Sequence, residues 1–213
     1  MARQGVRPAR QARSRATRDR IVTALETLLR ARRLEAITIA DIAAVAGISP
    51  GAVYRRFENR EAFIPVAFDL YRTRLEAYFR QPENQYRFDP AKGLRTTLRE
   101  LAALGWGFLA VETHLVRTAH IQARLRPDLV GDDWQALLDG ALGNARTLIS
   151  LFADEIRVED HDAAARMVTY LMNTALIEKA LYPDDGVARL VRSSDDEFCN
   201  AMADAVFGYL TAG

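Results

Sequence analysis

Apolar residues recur along most of this chain at spacings of three and four, and no stretch alternates apolar with polar residues over a strand's length. The pattern therefore predicts helices throughout, without an internal repeat. From Ser14 or Thr17 to about Arg33, residues Ile21, Leu25, Leu28 and Leu29 make one stripe, while Arg and acidic residues take the other positions. A second stripe, Ile39, Ile42, Ala43 and Ala46, follows a helix-start signal at Thr38, with Asp41 three residues on as an acidic form of the capping box. Gly47 can adopt the positive φ at which a helix stops, and Ser49-Pro50 pairs a cap with a proline at the first helical position. A further short helix therefore starts at once, with Val53 and Phe57 on its buried side.

The first stripe covers the apolar side of this helical hairpin. Helices of two or three turns are marginal in water, so the three must share one core. Beyond them, Asn59 reads as the cap of a helix running through Phe68, Tyr71, Leu75 and Tyr78 to about Phe79. Pro65 inside that span lacks an N–H and favours a kink, readable either as a hinge or as a static bend. The polar loop Gln81 to Pro90 precedes a helix over residues 91–111, which Gly105 and Gly107 loosen or end. Another helix runs from Thr113 to about Arg126, and Asp132 or Asp133 caps one through Trp134, Leu138, Ala141, Ala145, Leu148 and Phe152. Helices over residues 160–182 and 194–210 close the chain. The predicted fold is all-α, a three-helix head followed by a larger helical domain.

Composition narrows the classes of function. At 213 residues there is room for a small module and a larger domain with its own core. No run of 18 or more apolar residues occurs, so no membrane partner is expected, and the Arg-rich start lacks a secretory apolar core. Cys199 is the sole cysteine, which excludes an intrachain disulfide and a cysteine-cluster metal site. The expected compartment is the cytoplasm.

Charge is divided unevenly. Residues 1–60 carry thirteen Arg and five acids, 13 − 5 = +8, whereas the whole chain is +1, leaving −7 for the remainder. A basic head on an acidic body suits a polyanion held at one end. Residues 1–13, with Gly, Pro, Gln and Arg and almost no large apolar side chain, read as a flexible basic arm. Two readings of it stay open, an arm that follows DNA and a terminus without a role.

Two helices joined by a tight glycine turn match the outline of a DNA-binding helix-turn-helix, whose second helix enters the major groove. The second helix here opens on the small residues Pro50, Gly51 and Ala52, which let backbone approach a groove wall, and continues with Tyr54, Arg55 and Arg56, which reach phosphates or base edges. Arg60 adds a cation for the DNA backbone. The run TIADIAAVAGISPGAVYRRFENREAF, Thr38 to Phe63, resembles the N-terminal domain of the tetracycline-repressor (TetR) family of bacterial transcription regulators, over about residues 14–65. Arg56 departs from the His or aromatic residue often found there, and Arg60 stands where the family usually has Lys. Both leave the base sequence read by the protein open.

The resemblance implies a DNA-binding domain over 14–58 and an effector-binding and dimerisation domain over 59–213. It implies a homodimer through the last two helices, double-stranded operator DNA as partner, and a repressor released by a small-molecule effector. The DNA-contacting set becomes Thr38, Ser49, Pro50, Gly51, Ala52, Tyr54, Arg55, Arg56 and Arg60. Trp106, Phe108, His114, Arg117, His120, Trp134 and Asn173 are the candidates for the effector pocket, as bulky or polar groups of the larger domain. His114 and His120, six apart, do not share a helix face at ligand spacing, and neither a metal nor a cofactor is expected. No nucleophile elbow, phosphate-cradling glycine loop, HExxH or neighbouring Cys and His occurs, so no enzymatic activity is expected. The alternative is a helical interaction protein or an enzyme on the same scaffold without sequence-specific DNA binding.

Overall fold

A computed structural model describes residues 7–212, and among them there is no strand. The helices are α1 (Arg7–Ala31), α2 (Ile39–Ala46), α3 (Pro50–Tyr54), α4 (Phe63–Arg80), α5 (Leu94–Leu125), α6 (Pro127–Val130), α7 (Asp132–Leu151), α8 (His161–Leu181) and α9 (Asp195–Thr211). None of the described helices is long and apolar enough to cross a membrane. The described residues form two compact units, 7–72 with 117–130, and 73–116 with 131–212. The first unit thus takes more of the chain than residues 14–58, because the end of α5 and α6 belong to it.

In the first unit, Ile21, Leu25 and Leu29 of α1 are fully buried, and Leu28 nearly so, as the stripe predicted. They share a core with Ile42 and Ala43 of α2, Val53 of α3 and Phe63 of α4. Phe57 stacks on Phe63 with ring centroids 4.4 Å apart, which ties the segment after α3 to the start of α4. Helix α1 starts at Arg7, so residues 7–13 of the expected arm are helical, and residues 1–6 lie outside the described residues. Helix α4 starts at Phe63, after a turn in which the Ala62 amide donates to Asn59 Oδ1 at 3.0 Å. Pro65 is therefore in the first helical turn, where an N–H has no intrahelical acceptor, and it imposes neither a hinge nor a kink.

The end of α5 fastens onto this head through polar bonds. Arg117 donates to the Leu29 carbonyl at 3.4 Å, and Gln122 Nε2 to Glu35 Oε1 at 2.5 Å. Arg126 pairs with Glu61 and, at 2.9 Å, with Asp128, which holds its guanidinium firmly protonated. His120 lies buried in a T-shaped contact with Tyr71, centroids 6.2 Å apart.

The second unit is built on α5, α7, α8 and α9, with Leu94, Leu98, Leu148, Ile149, Val206 and Leu210 almost wholly buried. Asp204 of α9 receives Nε and Nη2 of both Arg95 and Arg99 at 2.6 to 2.9 Å, and these bonds hold its carboxyl far below the usual range. Helix α5 runs through both expected glycine breaks. A Cβ at Gly107 would displace the Tyr78 hydroxyl, which donates to the Leu104 carbonyl at 3.3 Å. The actual kink is at Glu112, φ −108° and ψ 24°. Gly131, with φ 65°, takes the N-cap of α7, and no Asp side chain caps that helix. Asp160 caps α8 through the amides of Asp162 and Ala163, and Ser194 with Glu197 forms a capping box on α9. Cys199 of α9 is a buried free thiol, and burial pushes its pKa up to about 11.

Candidate nucleic-acid interface and ligand cavity

In the hairpin α2–α3, helix α2 is capped at both of its ends. Thr38 and Asp41 form a reciprocal capping box: the Asp41 amide donates to Thr38 Oγ1 at 3.1 Å, and the Thr38 amide to Asp41 Oδ2 at 2.8 Å. The Thr38 bonds, with Arg32 at 3.4 Å, hold the Asp41 carboxyl below its ordinary value. Gly47 ends α2 with φ 62° and ψ 42°, and its amide returns to the Ala43 and Ala44 carbonyls. Arg20 of α1 reaches across to donate Nη2 to the Ala46 and Gly47 carbonyls at 2.5 and 3.0 Å. That clamp is a long-range contact which sequence pattern did not indicate. It satisfies carbonyls that the helix end leaves without partners.

Helix α3 buries Val53 completely, and the following Phe57 nearly so, leaving a face on which Ser49, Pro50, Gly51, Tyr54 and Arg55 are exposed and Ala52 is half-exposed. Ser49 occupies the N-cap position, yet its hydroxyl makes no capping bond, contrary to the expected cap. Tyr54 is 56% exposed despite being a large aromatic. Arg55 has no ion pair or side-chain hydrogen bond among the described residues. Arg56 instead turns back on its own helix, donating to the Ala52 carbonyl at 3.2 Å. Arg60 precedes α4 and donates to the Glu35 carbonyl at 2.7 Å, while remaining exposed. The expected cations therefore differ: Arg55 is uncommitted, whereas Arg56 and Arg60 already serve the head.

In the second unit a cavity of about 490 Å³ is walled by one face each of α5, α7 and α8, with Leu98, Leu101 and Leu104, then Ala141, Ala145 and Leu148, then Val168 and Met172. Phe79 and residues 84–88 complete it. Of the seven residues expected to form a pocket, Asn173 alone lines this one. Phe108 packs at 5.5 Å against Tyr78 and at 6.4 Å against Phe79, and Trp106 lies edge-on to Phe198 at 6.0 Å. His114 is buried 3.9 Å from the Glu112 carboxylate, and Trp134 is half-exposed in the first turn of α7. Arg117 and His120 belong to the first unit. Bulky and polar residue types drew attention to packing positions, while the wall is mainly aliphatic.

A three-helix head with a glycine turn, an anchored inner side and an exposed second helix defines a helix-turn-helix regulator fold. Residues 21–65 match the family model described as bacterial regulatory proteins, tetR family. Among solved structures, NalD of Pseudomonas aeruginosa, the secondary repressor of the MexAB-OprM multidrug efflux pump, is 18% identical with TM-score 0.61, over 94% of this chain and 98% of its own. PfmR of Thermus thermophilus, a TetR family transcriptional regulator, is 19% identical with TM-score 0.61, over 88% of this chain and 97% of its own. The multidrug binding protein EbrR, complexed with imidazole, is 16% identical with TM-score 0.59, over 97% of this chain and 96% of its own. At these identities the likeness is one of fold. No curated protein matches the chain by sequence.

Proposed function

We propose that this protein is a homodimeric transcriptional repressor, acting in the cytoplasm, which binds palindromic operator DNA and is released by a small-molecule effector. The observation that carries the reading is the exposed face of α3, with Tyr54 and Arg55 directed outward from a helix anchored by Val53 and Phe57. Residues 14–58 are the DNA-binding segment, with Pro50, Ala52 and Arg55 in the major groove beside Ser49 and Gly51. Thr38, Tyr54, Arg56 and Arg60 hold phosphates. Gly51 fits this role, since a Cβ there would touch nothing within the chain and its absence lets the backbone lie flush on a partner. NalD, a repressor, and EbrR, a multidrug binding protein, lend support through their shared fold.

Gel-shift titration against genomic fragments across salt concentrations tests the reading, and a lack of duplex binding at low ionic strength overturns it. Arg55→Ala is expected to cost about 1–3 kcal/mol on the operator and to relax discrimination at one base position. Arg60→Ala is expected to weaken all duplexes alike and lower the salt slope by about one. A loss confined to one operator would remove Arg60 from the phosphate-binding set.

The dimer is proposed through α8 and α9. Helix α8 exposes Met167 and Tyr170, 41% and 64% accessible, and α9 exposes the small residues Ala201, Ala205 and Gly208, which permit close helix approach. Met167→Asp with Tyr170→Asp is expected to raise the dimer dissociation constant by about thirtyfold, or about 2 kcal/mol. Sedimentation equilibrium checks this against the 23.8 kDa chain mass. Helix α5 carries cavity residues near its start and head contacts at its end, which makes it the element through which an effector would act. Full release requires the effector to favour the unbound form by about 10⁴-fold.

A further inference from the structure

We propose that the cavity of the second unit takes an amphipathic monoanion, a hydrocarbon body ending in one carboxylate, with Arg87 as its counter-charge. The inference rests on the reading of this cavity as the effector site and gives that effector a chemical class. The body is set by the walls, where Leu98, Leu101 and Leu104 of α5 face Leu148 of α7 and Val168 of α8 across about 490 Å³, a volume suited to a drug-sized molecule.

The head group follows from charge. Among the described lining residues only Arg87, which is exposed at the cavity's edge, is charged at neutral pH. It has no ion pair or side-chain hydrogen bond with a described residue, unlike Arg95 and Arg99, which share Asp204. The nearby acid Glu100 is already occupied: Lys92 donates to its two oxygens at 2.8 and 3.0 Å, and Tyr86, which also lines the cavity, donates to one at 3.0 Å. These bonds hold Glu100 below its usual pKa and leave its charge spent on Lys92.

Of the polar groups on α7 and α8, the Asn144 amide remains a neutral donor to the cavity, whereas Thr169 and Asn173 are engaged. Thr169 Oγ1 donates to the Ala165 carbonyl and Asn173 Nδ2 to the Thr169 carbonyl, both at 2.8 Å, so these side chains are turned into their own helix. A neutral hydrocarbon would fill the walls and leave the guanidinium to water, and a cation would be repelled. A carboxylate satisfies wall and charge together, and a guanidinium can hold it through two parallel bonds.

The test is calorimetric titration of the full chain with saturated carboxylates from octanoate to hexadecanoate, and with the alcohol and amine matching the best of them, each below its micellar concentration. The carboxylate should bind about tenfold more tightly than the alcohol, with the amine weakest. Arg87→Ala should bring the acid to the level of the alcohol, Arg87→Lys should keep most of the preference, and Arg87→Glu should invert the order of acid and amine. Equal binding of acid and alcohol, a preference that survives Arg87→Ala, or no binding at any chain length overturns the assignment. Gel shifts on the same preparation separate the two claims: duplex binding without acid binding defeats the ligand class alone, and acid binding without duplex binding defeats the regulator alone.

Discussion

Phe63→Ala should lower the unfolding free energy by about 3–5 kcal/mol, the range for emptying a fully buried aromatic position. Phe63 has no exposed surface, and its ring stacks on Phe57 at 4.4 Å. Domains retain only about 5–15 kcal/mol in total, so the head would lie close to its limit. Affinity for duplex DNA should fall with it, although Phe63 has no surface with which to touch DNA, because Phe57 and Val53 orient the exposed face of α3. Denaturant titration of Phe63→Ala and Phe63→Leu, paired with gel shifts, checks this: the leucine variant should recover most of both quantities. An alanine variant with full stability would show that the stack does not hold the head together.

Acid should destabilise the protein by about 3 kcal/mol between roughly pH 6.5 and pH 4 through His120 alone. Burial, and then the neighbouring Arg124, push this imidazole down from 6.5 to about 4. The sign follows from which state binds the proton. Above about pH 6.5 both states are neutral at this residue and its contribution to stability is complete. As the pH falls, the unfolded chain protonates first, and stability is lost until the folded imidazole also titrates near pH 4. Ion-paired carboxylates such as Asp204 lose their contribution mainly at lower pH, so the windows are separable. His120→Phe should flatten the stability profile over this interval, and unfolding curves at half-unit steps would show it. An unchanged slope would move the acid sensitivity to another group.

The head was largely legible in the sequence because its determinants are local. Thr38 and Asp41 are three residues apart, and the stripe Ile21, Leu25, Leu28 and Leu29 needs only helical periodicity to be seen. The effect of Pro65 depends on where α4 begins, and a periodic pattern fixes helix boundaries poorly. Bonds such as Arg20 to Ala46 or Arg60 to Glu35 join residues that only the tertiary fold brings together. The cavity was hidden for a different reason. Leu98, Leu101, Leu104, Ala145 and Leu148 are visible as apolar stripes, but periodicity does not distinguish a face that meets another helix from one that borders a space. Arg87 carried no pattern at all; its meaning comes from the neighbours that leave it unpaired.

The sealed thiol on α9 has a practical consequence for spectroscopy. Cys199 is only 3% accessible and its pKa is raised to about 11, so at neutral pH it is neither deprotonated nor reachable by maleimide reagents. A cysteine introduced at exposed Ser49 would therefore take a fluorophore without competition from the native sulfur. Distances between two such dyes in a paired assembly could then be followed as an effector is added.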